Sequence, residues 1–182
     1  MQSYRSVALA GCVLAGCGLS LISGVTPAMA GTPPTLAALS QSVEALALPR
    51  WSPDNWYQLA ALCEPCEVEA GEAVITSGSS ERTLCMVVEG SVEVAYVVRQ
   101  SLTVSILSHV GPGSVVGEQA FFDSAPRSAN VWAVEHSVLL KIDLRTFERF
   151  AESNPRLGYE MVFALGRILA QRLRTTTAKV AA

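Results

Sequence analysis

Between residues 71 and 98 the chain reads as short apolar segments, Ala73–Thr76, Leu84–Val88 and Val92–Val98, with single glycines, Gly71, Gly78 and Gly90, at the joins. Glycine adopts positive φ at no steric cost, so this spacing predicts short strands joined by tight turns, a meander or roll. In the last segment Val92, Val94, Tyr96 and Val98 alternate with Ser91, Glu93 and Ala95. A period of two belongs to a strand with one face in a core. Near the C-terminus the period changes. Asn154 before Pro155 is a helix start, a capping side chain ahead of a proline at the first helical position. Leu157, Met161, Leu165, Ile168, Leu169 and Leu173 then form an apolar stripe on a long helix. That stripe either packs on the roll or forms a dimer seam, and periodicity alone leaves both open. Upstream, Leu36–Leu48 and Ser52–Leu62 suggest two small helices split at Pro49 and Pro53, with Trp51 and Trp56 placed to cover the end of the roll.

The first 30 residues stand apart. Arg5 precedes a nearly uncharged stretch from Ser6 to Thr26, and Ala28-Met29-Ala30 before Gly31 has the small-x-small form of a signal-peptidase site. Three readings stay open: a cleaved signal, an uncleaved membrane anchor, or a lipoprotein leader using Leu14-Ala15-Gly16-Cys17. Each puts the body outside the cytoplasm, periplasmic or anchored facing out, whereas a misassigned start codon puts it inside. Subtracting 30 from 182 leaves 152 residues, enough for one core. The expected division is a leader over 1–30, a linker and N-terminal helix over 31–48, and one ligand-binding domain with its C-terminal helix over 49–180. The net charge of -3 lacks the basic footprint that nonspecific nucleic-acid binding needs, so no DNA partner is expected.

The most informative chemistry lies at Gly117-Glu118-Gln119-Ala120-Phe121-Phe122-Asp123-Ser124-Ala125-Pro126-Arg127-Ser128-Ala129. One carboxylate and one guanidinium flank a short apolar turn, nine residues apart. An arginine fork grips two phosphate oxygens, and an ionised carboxylate is acceptor-only and suits sugar hydroxyls. A surface turn with an ordinary salt bridge is the competing reading. Cys63-Glu64-Pro65-Cys66 is a CxxC, open to a redox pair, half a zinc site, a small disulfide or two incidental thiols. His109 and His136 are not at ligand spacing and read as structural or solvated, so no metal is expected. No nucleophile elbow, phosphate loop or paired carboxylates occur, and no enzyme is expected.

The 117–129 stretch resembles the phosphate-binding cassette of the cyclic nucleotide-binding domain family: Gly-Glu, apolar residues, then Arg, a small residue and Ala. The glycine spacing upstream resembles that family's eight-stranded β-roll, which implies a mainly β fold with N-terminal helices and a long C-terminal helix. By the resemblance Gly117 and Ser128 offer donors to a cyclic phosphate beside Ala129, Arg127 neutralises it, and Glu118 holds the ribose 2'-hydroxyl. Leu107 and Ser108 lie against the base. Arg172–Val180 resembles the helix stretch of the family's catabolite activators in which a hydroxyl pair reaches adenine, one residue from each subunit; Thr176 and Thr177 occupy those places. Two departures are Val116, where a large or aromatic residue is usual, and Ser114, where Asp is frequent.

The resemblance covers roughly Cys66 to Val180. It implies a sensor with cyclic AMP as ligand ahead of cyclic GMP, no cofactor, and output through flanking helices to an effector protein or a homodimer built on the C-terminal helix. Transcription factors of the family continue past the equivalent of Ala182 into a helix-turn-helix, so no DNA reader is expected here. The other class of function is an exported scaffold whose roll no longer binds nucleotide; cyclic nucleotides are made in the cytoplasm, so the leader and the ligand disagree.

Overall fold

The computed structural model describes residues 45–98 and 103–181. The leader and most of the 31–48 segment lie outside these residues. Among the described residues no helix is long and apolar enough to cross a membrane. Strands β1 (Glu64–Val68), β2 (Ala73–Ile75), β3 (Thr83–Glu89), β4 (Val92–Val98), β5 (Thr103–Val110), β6 (Val115–Val116), β7 (Asn130–Ala133) and β8 (Ser137–Asp143) alternate with helices α1 (Pro53–Ala60), α2 (Glu118–Asp123), α3 (Leu144–Ser153) and α4 (Pro155–Ala181). The strands form two antiparallel sheets, ordered β1-β8-β3-β6 and β2-β7-β4-β5. This is the expected β-roll with flanking helices.

The roll has two apolar layers because β3 is buried on both faces. Cys85 and Val87 point between the sheets with Val92, Val110, Val131 and Leu139. Leu84 and Met86 point the other way, onto Phe147 and Phe150 of α3 and Met161, Leu165 and Ile168 of α4. A strand covered on both sides reads as a continuous apolar run, and Leu84–Val88 is one. In β4 the expected alternation holds only at the start: Val92 is fully inside with Val94 packed beside it, but Ala95, expected on the outer face, is fully buried and Tyr96 is exposed. Opposite Val94 and Ala95, β5 carries an extra residue: Val94 pairs with Ser108 and Ala95 with Ile106, leaving Leu107 in a bulge. Gly71, Gly78 and Gly90 all take positive φ at the turns.

Two expectations about the N-terminal region are corrected. Residues 45–48, the described end of the proposed 36–48 helix, are extended: Ala45 bridges Ser114 antiparallel, and Leu46 N–H donates to Gly113 O at 2.8 Å. Pro49 biases the residue before it away from helix, and Leu46 and Leu48 gain burial in the helix-side core. Trp51 and Trp56 do not cover the end of the roll. Their rings meet at 4.9 Å, tilted by 55°, and Trp51 meets Phe150 at 6.3 Å, within the layer between helices and sheet. Helix α1 forms as expected, with a capping box between Ser52 and Asn55 and Pro53 in its first turn.

Helix α4 starts at Pro155 as expected, but the Asn154 side chain turns back, its Nδ2 donating to Phe150 O at 3.3 Å at the end of α3. The apolar stripe of α4 divides. Leu157, Met161, Leu165 and Ile168 enter the core, while Leu173 is 68% exposed beside a second exposed set, Tyr159, Val162, Phe163 and Val180. Gly158 lets α3 and α4 cross closely, since a Cβ there would lie 2.5 Å from that of Ala151.

Asp143 caps α3. Its carboxylate accepts the Thr146 amide at 3.0 Å and the Thr146 hydroxyl at 2.7 Å, and these bonds, the hydroxyl's first, hold its pKa below the ordinary value of 3.8. A lowered folded-state value means that the contribution to stability is complete above pH 3.8 and is lost as pH falls through the folded value. Asp143→Ala is expected to cost about 1 kcal/mol in urea unfolding at neutral pH, with the difference from wild type shrinking in acid. An unchanged midpoint at neutral pH would refute the cap.

Candidate functional site

The site is built where β6 runs out. Val115 and Val116 end the strand, Gly117 turns left-handed at φ 87, and α2 begins at Glu118. A side chain at Gly117 would collide with Arg127 Nη1 and lie 2.8 Å from Thr83 O, so both the backbone angle and the close approach demand glycine. The chain leaves α2 through Ser124, also left-handed, and returns along 124–129 to β7. This return brings Arg127 back under Gly117.

Arg127 is only 4% exposed. Its Nη1 donates to Gly117 O at 2.9 Å and its Nη2 to Thr83 O at 2.6 Å, while Nε–H is buried with no hydrogen-bond partner. Glu118, also 4% exposed, ion-pairs with Arg172 Nη1 of α4 at 2.6 Å. Arg172 Nη2 donates in turn to Val115 O at 2.8 Å. One guanidinium thus ties α4 both to the start of α2 and to β6. Further along α4, Lys179 Nζ donates to Leu107 O at 3.0 Å.

Between β4, β5, α2, the 127–129 return and the end of α4 lies a cavity of about 400 Å³. Leu107, Ser108, Gly117, Glu118, Arg127, Ser128, Ala129 and Thr176 all line it. Ser128 Oγ–H donates to Gln119 Oε1 at 2.7 Å. The bulge at Leu107 lets four consecutive residues, Ser105 to Ser108, reach the cavity wall. Among the described lining residues Arg127, Arg172 and Lys179 are cationic and Glu118 anionic, so the cavity carries surplus positive charge after its one ion pair. A buried guanidinium with an unmet donor, a buried carboxylate and a wall of hydroxyls suit a ligand that combines one anionic group with a polyol.

Residues 65–154 match the model of the cyclic nucleotide-binding domain. The chain carries a domain of that family. A Pycsar effector protein of Xanthomonas perforans is 32% identical over 123 residues, 67% of this chain and 39% of its own length; the chain therefore spans well under half of that relative. Among solved structures, a cyclic nucleotide-binding domain from Methylobacillus flagellatus superposes with TM-score 0.68 at 19% identity, covering 74% of this chain and 75% of that one. The Thermus thermophilus catabolite activator protein superposes with TM-score 0.65 at 22% identity, covering 73% and 60%. At such identities the structures show the fold, a cyclic nucleotide-binding β-roll.

Thr177 does not line the cavity of its own chain; Thr175 does, beside Thr176. The reason is helical: Arg172, Thr175, Thr176 and Lys179 recur at steps of three, one and three on one face, while Thr177 lies five residues past Arg172 and is rotated away. The same spacing was the available signal for Arg172 and Lys179, neither of which was expected at the site. Cys63, Cys66 and Cys85 are free thiols. Cys63 Sγ–H donates to Leu59 O at 3.3 Å, and burial pushes its pKa up to about 12, so Cys63 is a structural thiol. Burial likewise raises Cys85 to about 11, against the opposing charges of Lys141 and Arg127. Among the described residues no cluster of three or more metal-type ligands occurs.

Because Glu118 is buried against Arg172, removing the cation leaves an uncompensated carboxylate. Arg172→Met is expected to cost about 3 to 5 kcal/mol in urea unfolding, and adding Glu118→Gln should recover most of that loss. Equal stability of Arg172→Met and wild type would show that the pair is solvated rather than buried.

Proposed function

We propose that this domain binds a cyclic mononucleotide, cyclic AMP ahead of cyclic GMP, and passes the event through α4 to a second copy of the chain or to an effector protein. The observation that carries the reading is the meeting in one cavity of buried Arg127, with an unmet Nε–H, and buried Glu118. A buried donor without a partner costs about 1 to 3 kcal/mol. A cyclic phosphate supplies both the missing acceptor and the countercharge. The ionised carboxylate of Glu118 has acceptor sites for a ribose hydroxyl in addition to Arg172. A monoanionic ligand also matches the surplus positive charge of the lining.

At the far wall, Leu107 and Ser108 back the base, and Thr176 faces its edge. A hydroxyl accepts from adenine's exocyclic amine and donates to a ring nitrogen, which is the ground for placing cyclic AMP first. The exposed residues Tyr159, Val162, Leu173 and Val180 fall, with Gly166, Leu169 and Thr176 between them, at alternating steps of three and four. That is the spacing of a coiled-coil seam, and it supports a second α4 packed alongside, which would bring its own Thr177 to the open side of the cavity.

Calorimetry with the purified protein tests this. Cyclic AMP should bind saturably, Arg127→Ala should weaken binding by about 2 to 5 kcal/mol, and Thr176→Ala with Thr177→Ala should cost cyclic AMP more than cyclic GMP. Light scattering on the same samples should show twice the chain mass. No heat with either nucleotide at millimolar concentration would overturn the reading, and a monomer at saturation would remove the second copy from it.

A further inference from the structure

Arg82 lies outside the cavity lining, yet it holds the cassette in place. It stands half-buried immediately before β3. Its Nε–H donates to Ala120 O at 3.3 Å and its Nη2 to Phe121 O at 3.0 Å. Both carbonyls are among the last four of α2, a six-residue helix, and the last four carbonyls of a helix have no acceptor role within it. The fork of one guanidinium supplies donors to two of them, a geometry that a single ammonium does not reproduce. The backbone of Arg82 and Thr83 faces two other elements. Arg82 O accepts from the amide of Leu144, the first residue of α3, at 3.1 Å, and Thr83 O is the acceptor for Arg127 Nη2. Phe121, whose carbonyl Arg82 holds, is fully buried with its ring 5.5 Å from that of Phe147 on α3.

We propose that Arg82 is a positioning residue: by clamping the carbonyls of Ala120 and Phe121 to the start of β3, it sets the orientation of α2 and hence the presentation of Glu118 to the ligand. It acts through Glu118 and touches no ligand itself. The inference rests on the reading that the cavity takes a cyclic nucleotide with Glu118 at its sugar.

The full chain is tested with Arg82→Gln, Arg82→Lys and each combined with Glu118→Gln, using cyclic AMP calorimetry and amide exchange without ligand. Arg82→Gln should weaken cyclic AMP binding by about tenfold, and Arg82→Lys, which still reaches one carbonyl, should recover part of that. In the Glu118→Gln background the loss from Arg82→Gln should fall below about twofold, because the residue it positions is already disabled. Amides 118–123 should exchange faster in Arg82→Gln while those of β3 do not change. An undiminished loss in the Glu118→Gln background, or unchanged affinity, would overturn the proposal in favour of general destabilisation or no role. Should the wild-type protein take up no cyclic AMP, the functional reading fails by itself, and the exchange of 118–123 still decides whether Arg82 orders α2: unchanged exchange there overturns the clamp.

Discussion

The ion pair between Glu118 and Arg172, 2.6 Å long and largely buried, is the contact on which the arrangement of the site depends. It joins the first residue of the cassette helix to a residue near the end of α4, 54 positions later in the chain. A buried ion pair contributes little net stability, since desolvation offsets much of the attraction. Its effect is specification: with Glu118 buried, α4 has to lie where Arg172 reaches both the carboxylate and Val115 O. That placement sets Thr175, Thr176 and Lys179 on the cavity wall, because they share the Arg172 face of the helix.

In the proposed reading the same carboxylate also accepts from a sugar hydroxyl, so ligand and helix would meet at one residue. An ionised carboxylate accommodates several donors, and occupation by a ligand therefore strengthens the local network rather than displacing Arg172. On the other side of the cavity Arg127 is held by the carbonyls of Gly117 and Thr83 with one donor unmet. The guanidinium of the cassette is thus held in place by the fold itself, and on the proposed reading the free energy of ligand binding would act on α4. Any coupling through α4 would be limited by the difference in ligand affinity between the two states it links.

Much of this was legible in the chain because it is local. The positive-φ glycines and the nine-residue step from Glu118 to Arg127 depend on neighbouring residues and survive in the fold, whereas the alternation of β4 breaks at Ala95, opposite the bulge in β5. What depends on the path of the chain through space was not legible. Arg172 was not expected at the site, since its partner lies in another element; only its four-residue distance from Thr176 hinted otherwise. Residues 45–48 read as the end of a helix, yet their extended course follows from the edge at Ser114 and from Pro49. Asn154 carries a capping side chain, but the end of α3 competes for it and wins. The bulge at Leu107 left no mark in the alternation of β5.

The central claim is that the cassette and the end of α4 respond to ligand as one unit through Glu118 and Arg172. Hydrogen exchange with and without cyclic AMP, on wild type and on Arg172→Met, measures it directly. The account predicts added protection across 117–127 and 165–177 together in the wild type, and across 117–127 alone in the variant. Protection confined to the cassette in the wild type, or equal protection of α4 in both proteins, would contradict it.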